Sequence, residues 1–147
     1  MFTVRTARPE DAEEISALIA YHVPEGTLLP RSAEFVRERA LEFLVAEEDG
    51  RLLGSVHLDE YAPSLCEVRS LAVHPSAQGK GVGVALVAAL ERLARRRRYA
   101  TVFAVSNRDS FFLSRGFTPR HIPELDKERS EVSKFKGVFA KDLDELP

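Results

Sequence analysis

Six consecutive residues, Gln78-Gly79-Lys80-Gly81-Val82-Gly83, carry the strongest chemical signal in the chain. They follow the apolar run Leu71-Ala72-Val73 and lead into a long helical pattern. The first amides of a helix lack internal partners and carry a partial positive charge. Glycines let such a backbone approach a ligand closely, and the chemistry this suits is pyrophosphate binding. The spacing is not GxxxxGK[ST], which argues against a P-loop, and the third glycine of GxGxxG is missing. The plainer alternative is a tight strand-to-helix turn that uses glycine for geometry alone.

A carboxylate precedes the turn. In Cys66-Glu67-Val68-Arg69-Ser70-Leu71, strict alternation puts Glu67, Arg69 and Leu71 on one face of a strand and Cys66 on the other. A bulge would change that pattern. Glu67 is either a general base or the ion-pair partner of a neighbour such as Arg69. Cys66 reads as a buried strand residue rather than a nucleophile. His22, His57, His74 and His121 show no metal-ligand spacing, so no metal is expected. Arg95-Arg96-Arg97-Arg98 closes a helix, where cations complement the dipole. With a net charge of −2, a nucleic-acid partner is not expected.

The elements that must position these groups follow from period and punctuation. Phe2 to Ala7 reads as a strand, and Pro9-Glu10-Asp11 opens a helix with Ile15, Leu18 and Ile19 on its apolar stripe. Pro24-Glu25-Gly26 breaks it, and Ser32 caps a second helix reaching about Leu41. Phe43 to Glu47 and Leu52 to Leu58 form a hairpin about Asp49-Gly50. Cys66 to Val73 is the next strand, and Val82 opens a long helix through Arg98 with Leu86, Leu90 and Leu93 on one side. Ala100 to Val105 is a strand, a short helix with Phe111 and Phe112 ends at Gly116, and Val132 to Leu143 is a last strand. The expected fold class is α/β: a mixed, mostly antiparallel sheet flanked by helices, with one βαβ unit at its centre. At 147 residues the chain fits one domain, 1–147. One cysteine excludes an internal disulfide framework and suits a reducing compartment. No apolar run has signal-peptide or membrane-spanning character, so a cytoplasmic protein without a membrane partner is expected.

The turn also resembles the acyl-CoA-binding motif [Q/R]-x-x-G-x-[G/A] of the GNAT-type N-acetyltransferases, met here by Gln78, Gly81 and Gly83. The lead-in Leu71-Ala72-Val73-His74-Pro75 and the later stretch Asn107 to Phe117 match that family's pattern, so the resemblance covers roughly Glu67 to Phe117. It implies an acetyl-CoA-dependent enzyme with a V-shaped opening between the strands ending at Val73 and near Val105. Acetyl-CoA would be the co-substrate. Amides of Leu71 and Val73 would pair with its pantetheine arm, those of Gln78 to Val84 would hold the pyrophosphate, and Ala72, Asn107 and Phe112 would complete the cofactor site. Glu67 stands at the family's catalytic glutamate, and a backbone amide near Val73 would meet the oxyanion. Many members carry a tyrosine proton donor where this chain has Phe112. A thiol with pKa ~8.5 leaves tolerably without one. Tyr61 or Ser110 would be the substitute donor.

A narrower resemblance joins Gly26 to Ser32, Phe111 to Pro119 and Val138 to Leu143. These segments are similar to the acetyltransferase domain of N-acetylglutamate synthase, a family that commonly has phenylalanine at the Phe112 position. The implied acceptor is the amine of a small acidic amino acid, glutamate first, in arginine biosynthesis. Leu29, Arg31 and Arg69 would contact it, Arg31 through its carboxylates. A second arginine and a serine of that family fall here on Lys134 and Lys136, which keep charge but lose the guanidinium fork. A slipped alignment would use Arg129-Ser130 instead. The kinase-like domain usual in that family has no counterpart here, so feedback through it would need a partner. A homodimer is common in the superfamily. Other acceptors (a protein N-terminus, a polyamine) and a non-catalytic acetyl-CoA-binding module remain the alternative readings.

Overall fold

The computed structural model describes residues 1–26, 28–125 and 137–143. The strands are β1 (Thr3–Thr6), β2 (Phe43–Glu48), β3 (Arg51–Ala62), β4 (Leu65–Val73), β5 (Thr101–Ser106), β6 (Thr118–Pro119) and β7 (Gly137–Asp142). They form one sheet in the order β1-β2-β3-β4-β5-β7-β6. Neighbours are antiparallel except β4 and β5, which are joined through a helix and run parallel. This is the expected mixed sheet with a single βαβ unit. The two-residue edge strand β6 has no counterpart in the sequence reading. Of the expected last strand, residues 132–136 lie outside the described ones.

Among the described residues, four helices cover the two faces: α1 (Ala12–His22), α2 (Ala33–Glu38), α3 (Val82–Arg96) and α4 (Asp109–Ser114). Strand alternation sorts the core into two layers. Leu44, Val56, Cys66 and Val68 meet Val82, Leu86 and Leu90 of α3 on one side. Phe43, Val45 and Ala72 meet Ile15 and Ile19 of α1 and Val36 of α2 on the other. Burying each large side chain of this kind contributes roughly 1.5–3 kcal/mol before entropy is counted. Helix α2 is shorter than expected. Ser32 does cap it, its Oγ accepting the Phe35 amide at 3.0 Å, but the regular turns stop at Glu38. A 3-10 turn over Ala40–Glu42 then leads into β2.

Two close approaches fix the elements around the sheet's centre. A Cβ built on Gly54 of β3 would lie 2.8 Å from Val82 Cγ1 and 3.0 Å from the Ala72 carbonyl, so only glycine lets α3 settle this close to the sheet. On the far side, Lys141 of β7 donates to Glu91 of α3 at 2.8 Å and also to the Arg115 carbonyl just after α4. That part-buried link ties β7, α3 and the end of α4 together. No helix among the described residues is long and apolar enough to cross a membrane.

Candidate active site

Strands β4 and β5 are paired only at Leu65–Thr101, Cys66–Val102 and Glu67–Phe103. Past Glu67 they diverge, leaving the β5-facing edge of β4 without a strand partner. A cleft of about 450 Å³ opens in the gap. Its walls are Glu67 to Leu71 of β4, Ala104 to Arg108 of β5 and the following loop, and Phe111 and Phe112 of α4. Gly26, Leu28, Leu29 and Arg31 close it from the α1–α2 connection. An unpaired strand edge is a template for an extended chain with amides of its own.

The glycine turn adjoins this cleft rather than lining it. Gly79 and Gly81 have φ of 78° and 80°, which favours glycine. The first helical bond runs from the Ala85 amide to the Gly81 carbonyl, and no side chain caps α3. The amides of Val82, Gly83 and Val84 therefore precede the ladder. Gly83 faces the cleft wall: a Cβ there would lie 3.6 Å from Phe111. Exposed Gln78 folds back on the strand end, its Nε2 donating to the Val73 carbonyl at 3.1 Å, and His22 Nε2 approaches the same carbonyl at 2.8 Å. Lys80 is exposed, whereas the Ala72 and Val82 side chains are core.

The strand carrying Glu67 is bulged. Ser55 pairs with Ala72 and His57 with Arg69, so Ser70 and Leu71 together oppose Val56, and Ser70 has φ of 52°. The extra residue reverses the alternation. Glu67 and Arg69 share the α1/α2 face, whereas Leu71 packs with the α3 layer, which corrects the expectation of one common face. The bulge turns both sets toward the cleft, so Glu67 and Leu71 still line it together.

Glu67 is 3% exposed. Arg69 Nε lies 3.8 Å from its Oε1, and Arg69 Nη1 lies 3.3 Å from Asp59 Oδ2. Opposite Arg69, buried His57 stacks on Phe43 and contacts Glu42 through Nε2 at 2.8 Å. Burial holds the imidazole below its ordinary pKa against the opposing pull of Glu42, so His57 is neutral. Glu42, His57 and Asp59 offer ligand atoms within 4.8 Å of one another. In the structure those atoms are engaged by the His57–Glu42 bond and the Arg69–Asp59 pair. Arg31 lies with its guanidinium 5.1 Å from the Phe35 ring, and Arg39 covers the same ring at 3.9 Å.

Phe112 is 4% exposed and packs edge-on to Phe117 and face to face with Phe139, so it is core and cleft wall at once. Neither Tyr61 nor Ser110 lines the cleft. Tyr61 donates to the Glu124 carbonyl. Cys66 lies in the α3 layer, and burial pushes its thiol up to about 12, in keeping with an inert residue. Of the arginine run, Arg97 donates to the Leu41 carbonyl and Arg95 lies 4.0 Å from Glu91. Lys134 and Lys136, and the alternative Arg129-Ser130, lie outside the described residues. The cleft also holds groups the sequence reading passed over. Arg108 stands beside Asn107 with its guanidinium 5.3 Å from the Phe111 ring; its position after the expected pantetheine contact was the available signal. Ser70 reaches the cleft only through the bulge, for which serine gives no sequence cue.

Residues 9–117 match the family described as the acetyltransferase (GNAT) family, and the chain belongs to it. Among curated relatives, the amino-acid acetyltransferase of Neisseria meningitidis serogroup A is 35% identical over 137 residues, 92% of this chain and 31% of that protein. An uncharacterized N-acetyltransferase of Chlorobaculum tepidum is 34% identical over 125 residues, covering 85% of this chain and 77% of that one. Among solved structures, N-acetylglutamate synthase from Neisseria gonorrhoeae, complexed with coenzyme A and N-acetyl-glutamate, superposes with a TM-score of 0.84 at 29% identity. That match covers 99% of this chain and 36% of the synthase. The Mycobacterium tuberculosis protein Rv2747, in complex with CoA, gives a TM-score of 0.83 at 26% identity over 96% of this chain and 99% of that one. The chain thus spans about a third of the length of the amino-acid acetyltransferases it matches.

Proposed function

We propose that this chain is an acetyl-CoA-dependent N-acetyltransferase whose acceptor is the α-amine of a small acidic amino acid, L-glutamate first. The observation that carries the reading is the cleft itself. The buried carboxylate Glu67 and the guanidinium-bearing Arg31 both line it, which supports a proton acceptor and a cationic contact for the acceptor. The relatives named amino-acid acetyltransferase support an amino-acid acceptor, and the synthase complex supports glutamate.

Acetyl-CoA brings the acetyl group as an activated thioester. The protein's part is to bind, orient and move a proton. The β4 edge at Leu71 and Val73 offers backbone groups to the pantetheine arm. The amides of Val82, Gly83 and Val84, with those of Gln78 to Gly81, suit the pyrophosphate. Arg31 and Leu29 hold the acceptor at the other end, with Lys134 and Lys136 as further cationic contacts. Glu67 accepts the proton from the acceptor ammonium, directly or through one water. Phe112 cannot donate a proton, so the thiolate leaves unassisted by that position.

A thiol-release assay with acetyl-CoA and a panel of amino acids, polyamines and peptide N-termini tests this. Turnover greatest with glutamate or aspartate is the expected result. Turnover confined to polyamines or peptides refutes the acidic acceptor, and tight acetyl-CoA binding without turnover of any amine refutes the enzyme.

A further inference from the structure

We propose that Arg69 is a positioning residue for Glu67, its guanidinium set between Asp59 and Glu67 so that Glu67 stays aimed into the cleft as a proton acceptor. The proposal rests on the reading of Glu67 as proton acceptor. Asp59 and Glu67 are direct partners in the β3–β4 register. Their side chains therefore share a face, with Cβ atoms about 4.5–5.5 Å apart, where like charges repel. The repulsion matters here because the Glu67 side chain is only 4% exposed, and water screens it poorly. A buried carboxylate facing another one takes up a proton unless a cation intervenes. Arg69 is two residues along the same face, 3.3 Å from Asp59 and 3.8 Å from Glu67. A guanidinium fork can serve two carboxylates at once.

Among the described residues, the other charged or titratable groups near Glu67 have partners of their own. On β3, His57 is neutral and turned to Glu42. From the remaining walls, the Arg31 and Arg108 guanidiniums lie over Phe35 and Phe111. Arg69, held by two carboxylates of its own chain, is then not the grip for the acceptor's carboxylate, and that role concentrates on Arg31.

The test compares wild type with Arg69→Met, Arg69→Lys, and Arg69→Met combined with Asp59→Asn, reading kcat/KM against pH and the acceptor KM. The bridge predicts that Arg69→Met moves the acidic limb up by about one pH unit and so lowers the rate about tenfold at pH values on that limb. The acceptor KM changes no more than about threefold, a shift of roughly 0.65 kcal/mol. Adding Asp59→Asn returns the limb toward the wild-type position, because the facing charge is gone. Arg69→Lys, which keeps the cation, stays close to wild type in the limb and guards against a folding artefact. An unshifted limb with an acceptor KM raised about tenfold or more would overturn the proposal, as would failure of Asp59→Asn to restore the limb. If no amine is turned over, the acetyl-transfer reading is what has failed, and the bridge is then read alone by carbon-13 NMR titration of the Glu67 carboxyl. A midpoint about one unit higher in Arg69→Met supports the bridge, and an unchanged midpoint refutes it.

Discussion

The two limbs of the cleft are built from different materials. On one side, the unpaired β4 edge and the turn into α3 present backbone amides, fixed by glycines at Gly54, Gly79, Gly81 and Gly83. On the other, Glu67, Arg69 and Arg31 present side chains, fixed by a bulge, a cross-strand carboxylate and an aromatic ring. Backbone recognition tolerates many side chains and demands particular small residues, so it suits a co-substrate common to a whole family. Side-chain recognition changes with single substitutions, so it is where one acceptor is distinguished from another. The difference predicts that changes in one limb leave ligand binding in the other largely intact.

The largest expected effect breaks the acceptor limb alone. Glu67→Gln should lower kcat by about 10²–10⁴, the usual worth of a positioned base, while the acetyl-CoA affinity measured by calorimetry stays within about twofold. Arg31→Met should come next, raising the KM for an acidic acceptor by roughly 10–150-fold, as expected for losing about 1.5–3 kcal/mol of charged hydrogen bonding. The KM for acetyl-CoA should hold steady in the same steady-state assay. On the backbone limb, Gly54→Ala puts a methyl group against Val82 and the Ala72 carbonyl. Overpacking of this kind costs about 1–3 kcal/mol, visible in urea unfolding, and the displaced start of α3 should weaken acetyl-CoA binding more than acceptor binding. The smallest effect concerns Cys66, which belongs to neither limb. Its thiol is raised from the ordinary 9.0 to about 12 in the fold, so the native state binds the proton more tightly than the unfolded one. The stability this contributes is present below pH 9 and is lost as pH rises from 9 toward 12. Between pH 8 and 11 the melting temperature of wild type should therefore fall more steeply than that of Cys66→Ala, and kcat at pH 7 should be equal in the two.

How much of this was legible in the sequence divides along the same line. The glycine turn, the α3 stripe and the strand order around β4-α3-β5 depend on local spacing, and glycine and proline punctuate them directly. The Ser32 cap is likewise local, and its Oγ does meet the Phe35 amide. The bulge at Ser70 was not legible, because register is decided by pairing with Val56 on β3 and serine carries no sign of a positive φ. That one residue moved Leu71 to the opposite face from Glu67. The grip of Asp59 on Arg69 likewise joins residues ten positions apart across a hairpin, which no period records. The short edge strand β6 has too few residues to show a pattern at all.

If one cleft joins a backbone-built cofactor limb to a side-chain-built acceptor limb, the two meet at Glu67. A crystal structure of the protein soaked with coenzyme A and N-acetyl-glutamate tests it most directly. The pantetheine arm should lie along the β4 edge at Leu71 and Val73, the pyrophosphate on the amides before Ala85, and a carboxylate of the acetylated amino acid on Arg31. The acetylated nitrogen should lie within reach of Glu67. A carboxylate gripped by Arg69, or coenzyme A bound outside the gap between β4 and β5, would contradict it.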